Sequence, residues 1–190
     1  MPSDDNLRYP IGRFQPSGPL TPERRAELVE ALAHLPGQVR ALVEPLSSVQ
    51  LGCAYRPGGW TIRQLVHHLP DSHLNAYLRM KLALTEDAPT VKTYREDLWA
   101  ELPDVAAAPA AASLALLDGL HQRWATLLLA LPPAAFARTF LHPEWGAVSL
   151  DFALLQYAWH GRHHLAHMRT ALAAAVNRAP GSASAPPQTG

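Results

Sequence analysis

Four long segments with the hydrophobic periodicity of amphipathic helices constrain the fold of this chain more than any other feature. The first begins at Thr21, an N-cap residue followed by Pro22 and Glu23, which are both favoured in a first helical turn. Proline and glycine at positions 36–37 predict a break, and Pro45 ends the second part. The sequence therefore predicts a first helix in two pieces.

The other three segments are predicted to be single helices. Thr61 and Gln64 form a capping-box pattern at the start of a second helix over residues 62–84. A third helix is predicted over 113–130 and a fourth over 149–176, which begins with a serine N-cap. Almost no stretch alternates between apolar and polar residues as a half-buried strand does. These patterns predict an all-α fold.

The connections predict how the helices are assembled. Residues 86–112, between the second and third helices, favour a four-helix bundle with a long crossover connection over simple hairpins. Residues 136–148 are expected to be irregular or briefly extended. We expect residues 1–20 to form an irregular N-terminal arm, 21–177 the four-helix-bundle domain, and 178–190 a disordered tail.

The composition argues against several functions and partners. Sixteen basic residues balance sixteen acidic ones without a basic stripe, which argues against a nucleic-acid partner. No apolar run reaches about 18 residues and no signal-peptide pattern precedes the helices, so we expect no membrane partner. Cys53 is the single cysteine, which excludes an intrachain disulfide and favours a cytoplasmic location.

Histidine is distributed unevenly along the chain. Of ten histidines, seven lie in residues 67–73 and 160–167. His160 and His164 are four residues apart in the predicted fourth helix, so they are neighbours on one face. The HExxH helix places two imidazoles on one metal ion with this spacing, although the glutamate of that motif is absent here. The pair therefore predicts a metal site.

A helical wheel of the second helix indicates a third ligand. The apolar face consists of Ile62, Leu65, Val66, Leu69, Ala76 and Met80, and the polar stripe beside it of His68, Asp71, Asn75 and Arg79. This arrangement predicts His68 as a ligand, His67 as a solvated surface residue and His73 as a core histidine. Asp71, one turn from His68, is either a carboxylate that orients a ligand or a surface acid.

On the fourth helix the corresponding stripe contains His160, His164 and His167, with His163 at its edge. His167 is either a further ligand or a residue that supports the ligands. Any one of these histidines alone is best explained as an ordinary core or surface residue. The pair together with His68 on a facing stripe is better explained by a metal ion in the bundle interior.

Three aromatic residues outside these stripes are predicted to be structural. Trp60 and Trp124 are expected to pack in the core rather than to contact a substrate. His121 lies at the apolar edge of the third helix, where a structural role is favoured over a place in a binding pocket.

Six short segments, spread over residues 7–175, carry a family resemblance. They are residues 9–12 (YPIG), 58–64 (GGWTIRQ), 67–73 (HHLPDSH), 81–86 (KLALTE), 120–124 (LHQRW) and 159–167 (WHGRHHLAH). In this combination the chain resembles the DinB/YfiT-like family of metal-dependent hydrolases, and its YfiT branch closely.

The resemblance implies a homodimeric four-helix bundle that holds one zinc or nickel ion per chain. The family's ligand positions correspond to His68, His160 and His164, in agreement with the wheel. One departure is Pro70, where the family usually has alanine. Because proline removes a helical hydrogen bond, a kink is expected there and the position of Asp71 is left open.

Three neutral imidazoles leave a coordination position open, which is typical of a catalytic metal. The first hypothesis is a hydrolase that activates water to attack a small molecule. The second is a bacillithiol-type thiol S-transferase, as in some relatives, with Arg79 or Arg162 binding a carboxylate of a low-molecular-weight thiol. The third is a non-catalytic metal-binding protein. The candidate general acids or bases are Asp71, Tyr157, His167 and His142.

Overall fold

The computed structural model describes residues 4–178 of the 190-residue chain. In chain order its α-helices are α1 (Asp4–Arg8), α2 (Pro22–Val43), α3 (Ser48–Leu51), α4 (Ile62–Thr85), α5 (Glu96–Trp99), α6 (Pro103–Ala107), α7 (Ala110–Leu129) and α8 (Leu150–Arg178). A 3-10 helix (Pro133–Ala137) and an antiparallel hairpin of β1 (Thr139–His142) and β2 (Gly146–Ser149) separate α7 from α8. The predicted all-α four-helix bundle is confirmed.

The four long helices do not pack in the order in which they occur in the chain. Helices α2 and α4 each pack against both α7 and α8, so that α2 and α4 face each other across the diagonal of the bundle. The connection between α4 and α7 contains α5 and α6, and its Val91 N–H donates to the carbonyl of Leu141 in β1. This connection and the hairpin therefore lie together beside α4.

A polar layer divides the interior of the bundle into two apolar clusters. One cluster includes Leu28, Leu32, Met80, Trp124 and Leu154, and the other Val39, Leu65, Leu69, Leu117 and Met168. The residues between them, here named the histidine layer, are His68 and His73 of α4, His121 of α7, and His160 and His164 of α8. Because apolar side chains enclose the layer on both sides, its imidazoles are largely shielded from water.

The predicted break in the first helix is wrong, because α2 continues through Pro36. Proline has no N–H, so the carbonyl of Leu32, four residues earlier, loses its helical donor. His121 of α7 replaces that donor, with its Nδ1 atom 2.6 Å from the Leu32 oxygen. The buried carbonyl is thus satisfied, and α2 is joined to the histidine layer.

Two contacts fix α8 against α2. Both carboxylate oxygens of Asp151 accept hydrogen bonds from the guanidinium of Arg25, at 2.6 and 2.8 Å, in the bidentate geometry of strong ion pairs. Further along, a Cβ atom at Gly161 would clash with a methyl group of Leu35 on α2. Glycine at this position therefore permits α8 to approach Leu35 closely.

The ends of the chain differ in part from expectation. Residues 4–8 of the predicted irregular arm form α1, and the carbonyl of Arg8 contacts His167 of α8. The predicted tail begins at Arg178, the last residue of α8, and its other residues lie outside the described part of the chain. Within residues 4–178, no helix combines the length and apolar character that crossing a membrane requires.

Candidate metal centre

The structure brings together the three histidines that the sequence predicts as metal ligands. The Nε2 atom of His160 lies 3.3 Å from Nε2 of His68 and 3.0 Å from Nε2 of His164. His160 and His164 lie on one face of α8, and His68 faces them from α4. The three rings can therefore offer three nitrogen atoms to one ion. That they bind one remains a prediction.

Burial keeps all three imidazoles neutral at physiological pH. It lowers the pKa of His68 to about 4, and lowers the pKa values of His160 and His164 well below the ordinary 6.5, with the neighbouring histidines acting in the same direction. A neutral imidazole retains one nitrogen lone pair, which is the form that binds a metal ion.

A chain of hydrogen bonds determines which nitrogen of His160 carries that lone pair. The carbonyl of Leu32 can only accept, so His121 must be protonated on Nδ1, which leaves its Nε2 as an acceptor. Nδ1 of His73 lies 2.9 Å from that Nε2, and Nε2 of His73 lies 3.1 Å from Nδ1 of His160. Each neutral ring donates to the previous one, so the lone pair of His160 is on Nε2.

A shorter chain has the same effect on His164. The carbonyl of Arg8 accepts from Nε2 of His167 at 3.1 Å, which leaves Nδ1 of His167 as an acceptor. Nδ1 of His164 lies 3.4 Å away and donates to it, so the lone pair of His164 is also on Nε2. His160 and His164 thus direct two lone pairs at the same space.

The nitrogen atoms therefore suit a divalent cation. Two lone pairs 3.0 Å apart repel each other unless a proton or a cation lies between them. Imidazole nitrogen is a ligand that suits zinc and nickel. Three neutral imidazoles leave the full charge of such an ion and at least one open position, in contrast to the four protein ligands of a structural zinc site.

A second group of histidines could also offer three nitrogen atoms to an ion, namely His163, His164 and His167. It shares His164 with the first group, and Nδ1 of His167 already accepts the hydrogen bond from His164. His163, predicted at the edge of the stripe, is buried and stacks on Trp159 with 4.4 Å between ring centroids. Its geometry favours packing beside the centre over independent metal binding.

A cavity of about 480 Å³ opens on the three histidines. Of the four candidate acids or bases, Tyr157 and His142 line it, whereas Asp71 and His167 do not. The backbone N–H of Glu144 lies 3.3 Å from Nδ1 of His142, so this neutral ring carries its proton on Nε2. Tyr157 and His142 can thus both donate a hydrogen bond within the cavity.

Several wall residues were not among the predicted site residues. They include Glu96 of α5, together with Glu144 and Trp145 in the turn between β1 and β2. Burial raises the pKa of Glu96, and the nearby charges of Asp97 and Glu144 raise it further. Glu96 is a carboxylate in the wall of this cavity, whereas the His160–His164 pattern itself contains none. Only the unusual length of the connection between α4 and α7 pointed to a role for this region.

The prediction for His67 is wrong, whereas those for Trp60 and Trp124 agree with the packing of the core. His67, predicted at the surface, is buried, and its Nδ1 atom lies 2.7 Å from the hydroxyl of Ser113 on α7. The helical wheel could not reveal this contact because α7 covers that face of α4. Trp60 is partly buried and packs against the second apolar cluster, as predicted, and it also lines the cavity with its ring 4.7 Å from that of His68. Trp124 is fully buried, as predicted.

Helix α4 continues through Pro70, so Asp71 has a defined place in it. Burial, together with the charge of Asp104, raises the pKa of Asp71 to about 6. The folded protein then binds the Asp71 proton more tightly than the unfolded chain does. The free energy of unfolding therefore decreases as the pH rises from about 4 to about 6, and it remains at the lower value above pH 6.

We therefore expect Asp71→Asn to stabilise the protein at pH 7.5, by about 1 kcal/mol because solvent still reaches the carboxyl. Melting curves should show an increase of roughly 2–4 °C at pH 7.5 and almost none at pH 4. The exposed Asp87 provides a matched control, and Asp87→Asn should have little effect at either pH. A decrease in the melting temperature of Asp71→Asn at pH 7.5 would contradict the raised pKa.

The chain is similar to proteins of one family along most of its length. The family model described as "DinB superfamily" matches residues 31–168. A Bacillus mycoides (strain KBAB4) protein, named "Putative metal-dependent hydrolase", is 49% identical over 163 residues, which cover 86% of this chain and 94% of that protein.

Solved structures agree with this similarity. YfiT from Bacillus subtilis, described as "a probable metal-dependent hydrolase with an unusual four-helix bundle topology", has a TM-score of 0.87 and 42% identity. The match covers 90% of this chain and 98% of YfiT. TT2238, "a four-helix bundle protein", matches over 76% of this chain and 98% of its own, with a TM-score of 0.55 and 20% identity. The second likeness concerns the fold alone.

Proposed function

This chain belongs to the DinB/YfiT-like family, and from that premise we propose that it is a metal-dependent hydrolase of small molecules. His68, His160 and His164 would hold one divalent ion, zinc or nickel, per chain. The convergence of their Nε2 atoms at the wall of a cavity supports this proposal most strongly. The cavity volume, about 480 Å³, is in the range for small-molecule ligands.

A divalent ion on three imidazoles supplies Lewis-acid chemistry, which activates water or polarises a substrate oxygen. The residues of the chain have complementary roles. Tyr157 is protonated at neutral pH like any tyrosine, and burial raises its pKa further, so it can donate a hydrogen bond to a substrate oxygen. Glu96 is the wall carboxylate with a raised pKa, which suits a group that accepts a proton from water. Trp60 lies beside His68 in the cavity wall and adds an apolar surface there.

The test is hydrolysis by protein loaded with zinc or nickel, compared with the same protein after chelation and with the reloaded protein. A panel of small esters, lactones and amides should include substrates that turn over at least about 100-fold faster with the metal, because a Lewis acid supplies several kcal/mol of transition-state stabilisation. Each assay is run with and without a low-molecular-weight thiol.

The thiol comparison separates the alternatives. Turnover that needs the thiol, without any hydrolysis in its absence, would replace the proposal with a thiol S-transferase. That alternative is supported by the all-nitrogen ligand set, because an ion that keeps its full positive charge also stabilises a thiolate. A metal-loaded protein that turns over no substrate would favour a non-catalytic metal-binding role. The homodimer and the cytoplasmic location expected from the sequence remain predictions.

A further inference from the structure

Arg79 of α4 is a buried cation that has no buried anion beside it. Its side chain is only 8% exposed. Within residues 4–178, no carboxylate oxygen lies within the 4.0 Å of an ion pair with Arg79. One nitrogen, Nη2, donates to the carbonyl of Lys92 at 2.8 Å, and the guanidinium also hydrogen-bonds the side chain of Tyr157, so both of these partners are uncharged. Burying an uncompensated charge is costly, so the position of Arg79 calls for an anion.

The charge of Arg79 acts within the cavity that contains the three metal-site histidines. Arg79 lines this cavity together with Tyr157 and His142. Burial raises the pKa of Tyr157 and lowers the pKa of His142. The positive charge of Arg79 acts on both residues and lowers both pKa values. Tyr157 in turn contacts His160, with 5.7 Å between ring centroids. Tyr157 therefore contacts both Arg79, through a hydrogen bond, and a histidine of the candidate metal site.

The remaining charges of the wall limit what the cavity can accept. Asp97 is paired with Arg95 at 2.6 Å, so these two side chains largely neutralise each other. Glu96 and Glu144 add negative charge to the same cavity. A bound divalent ion and Arg79 attract anions, whereas these two acids repel a negative charge that is placed directly beside them. A ligand with one carboxylate can bind Arg79 through two parallel hydrogen bonds and stay clear of them.

We infer that Arg79 binds the carboxylate of a small monocarboxylate substrate while the reacting group lies at His68, His160 and His164. This inference deepens the proposed function and rests on it for the position of the reacting group. It also gives a physical reason for Arg79: the cation remains uncompensated in the protein because the substrate provides the anion. Arg162, the other arginine considered from the sequence, is exposed, donates to the carbonyl of Ala158 and does not line the cavity.

Two matched probes test this inference by direct binding. 3-Mercaptopropionate and its amide share a thiol that binds zinc and differ only in the carboxylate. Isothermal titration of zinc-loaded protein should show the acid binding about 10–100-fold more tightly than the amide, as expected for a charged hydrogen bond. Arg79→Gln should abolish that difference and leave the affinity for the amide unchanged. Arg162→Gln, the matched control, should preserve the difference.

The outcomes distinguish this inference from the proposed hydrolase function. Equal affinity of the wild-type protein for acid and amide, or no binding of either probe by zinc-loaded protein, would overturn the role of Arg79, and neither result depends on a variant that folds. If Arg79→Gln fails to fold, Arg79→Lys retains the charge but not the two-point geometry, and a reduced preference for the acid is expected.

Hydrolysis without a carboxylate preference would support the hydrolase function and refute the role of Arg79. A preference for the carboxylate that depends on Arg79, in a protein that hydrolyses no substrate, would support the role of Arg79 and count against the hydrolase function. A succinate or inorganic phosphate probe that binds as tightly as the monocarboxylate would refute the single-charge limit.

Discussion

His164→Ala is expected to reduce the metal content of the purified protein from about one divalent ion per chain to almost none. His164 is one of three converging ligands, and its Nε2 atom lies 3.0 Å from that of His160. Losing a residue that only supports a ligand typically costs 10–100-fold in affinity. Losing a ligand itself should cost more than about 100-fold, and hydrolysis should disappear with the metal. Elemental analysis after dialysis measures the occupancy.

The matched control for this change is His34→Ala. His34 lies on α2 with its side chain exposed, so its removal should leave metal content and activity unchanged. Circular dichroism must show that His164→Ala remains folded, and His68→Ala provides an independent second variant on a different helix. Full occupancy in folded His164→Ala would exclude the proposed centre.

Sequence patterns predicted the helix starts that depend on hydrogen bonds between residues close together in the chain. The capping box at the start of α4 is present, with Thr61 Oγ1 accepting from the N–H of Gln64 and the Gln64 side chain accepting from the N–H of Thr61. Ser149 likewise accepts from the N–H of Phe152 at the start of α8. The continuity of α2 could not be predicted, because the group that satisfies the Leu32 carbonyl lies 89 residues away in the chain.

The candidate site likewise contains some residues that local sequence patterns predict and others that they do not. His160 and His164 follow from the spacing of a single helix, and the polar stripe of α4 distinguishes His68 from its neighbour. The opposite wall was not predicted, because Glu96 and Trp145 lie on a short helix and a turn without periodicity. Their positions depend on how the α4–α7 connection packs against the hairpin. Tertiary packing, rather than sequence pattern, therefore determines what a substrate would contact.

The hydrogen-bond chain from Leu32 to His160 predicts a second large effect, at a residue that contacts no ion. His73→Leu removes the acceptor for Nδ1 of His160 and the donor to Nε2 of His121. His160 could then adopt the tautomer with its proton on Nε2, which has no lone pair on the nitrogen that faces His68 and His164. We expect the affinity for zinc to fall about 10–100-fold. We also expect a loss of stability of about 1–3 kcal/mol for each buried polar group left unsatisfied.

His67→Leu separates the loss of metal affinity from the loss of stability. His67 lies on the same helix, is also buried, and contacts Ser113, but it is outside the chain that leads to His160. Both variants should melt at lower temperature, whereas only His73→Leu should weaken zinc binding in a competition titration with a chelator. Nitrogen-15 spectra of the imidazoles should show His160 protonated on Nδ1 in the wild type and a mixture of tautomers in His73→Leu. If both variants lost zinc affinity equally, general loosening of the bundle would explain the loss, and the chain from Leu32 would have no role in orienting His160.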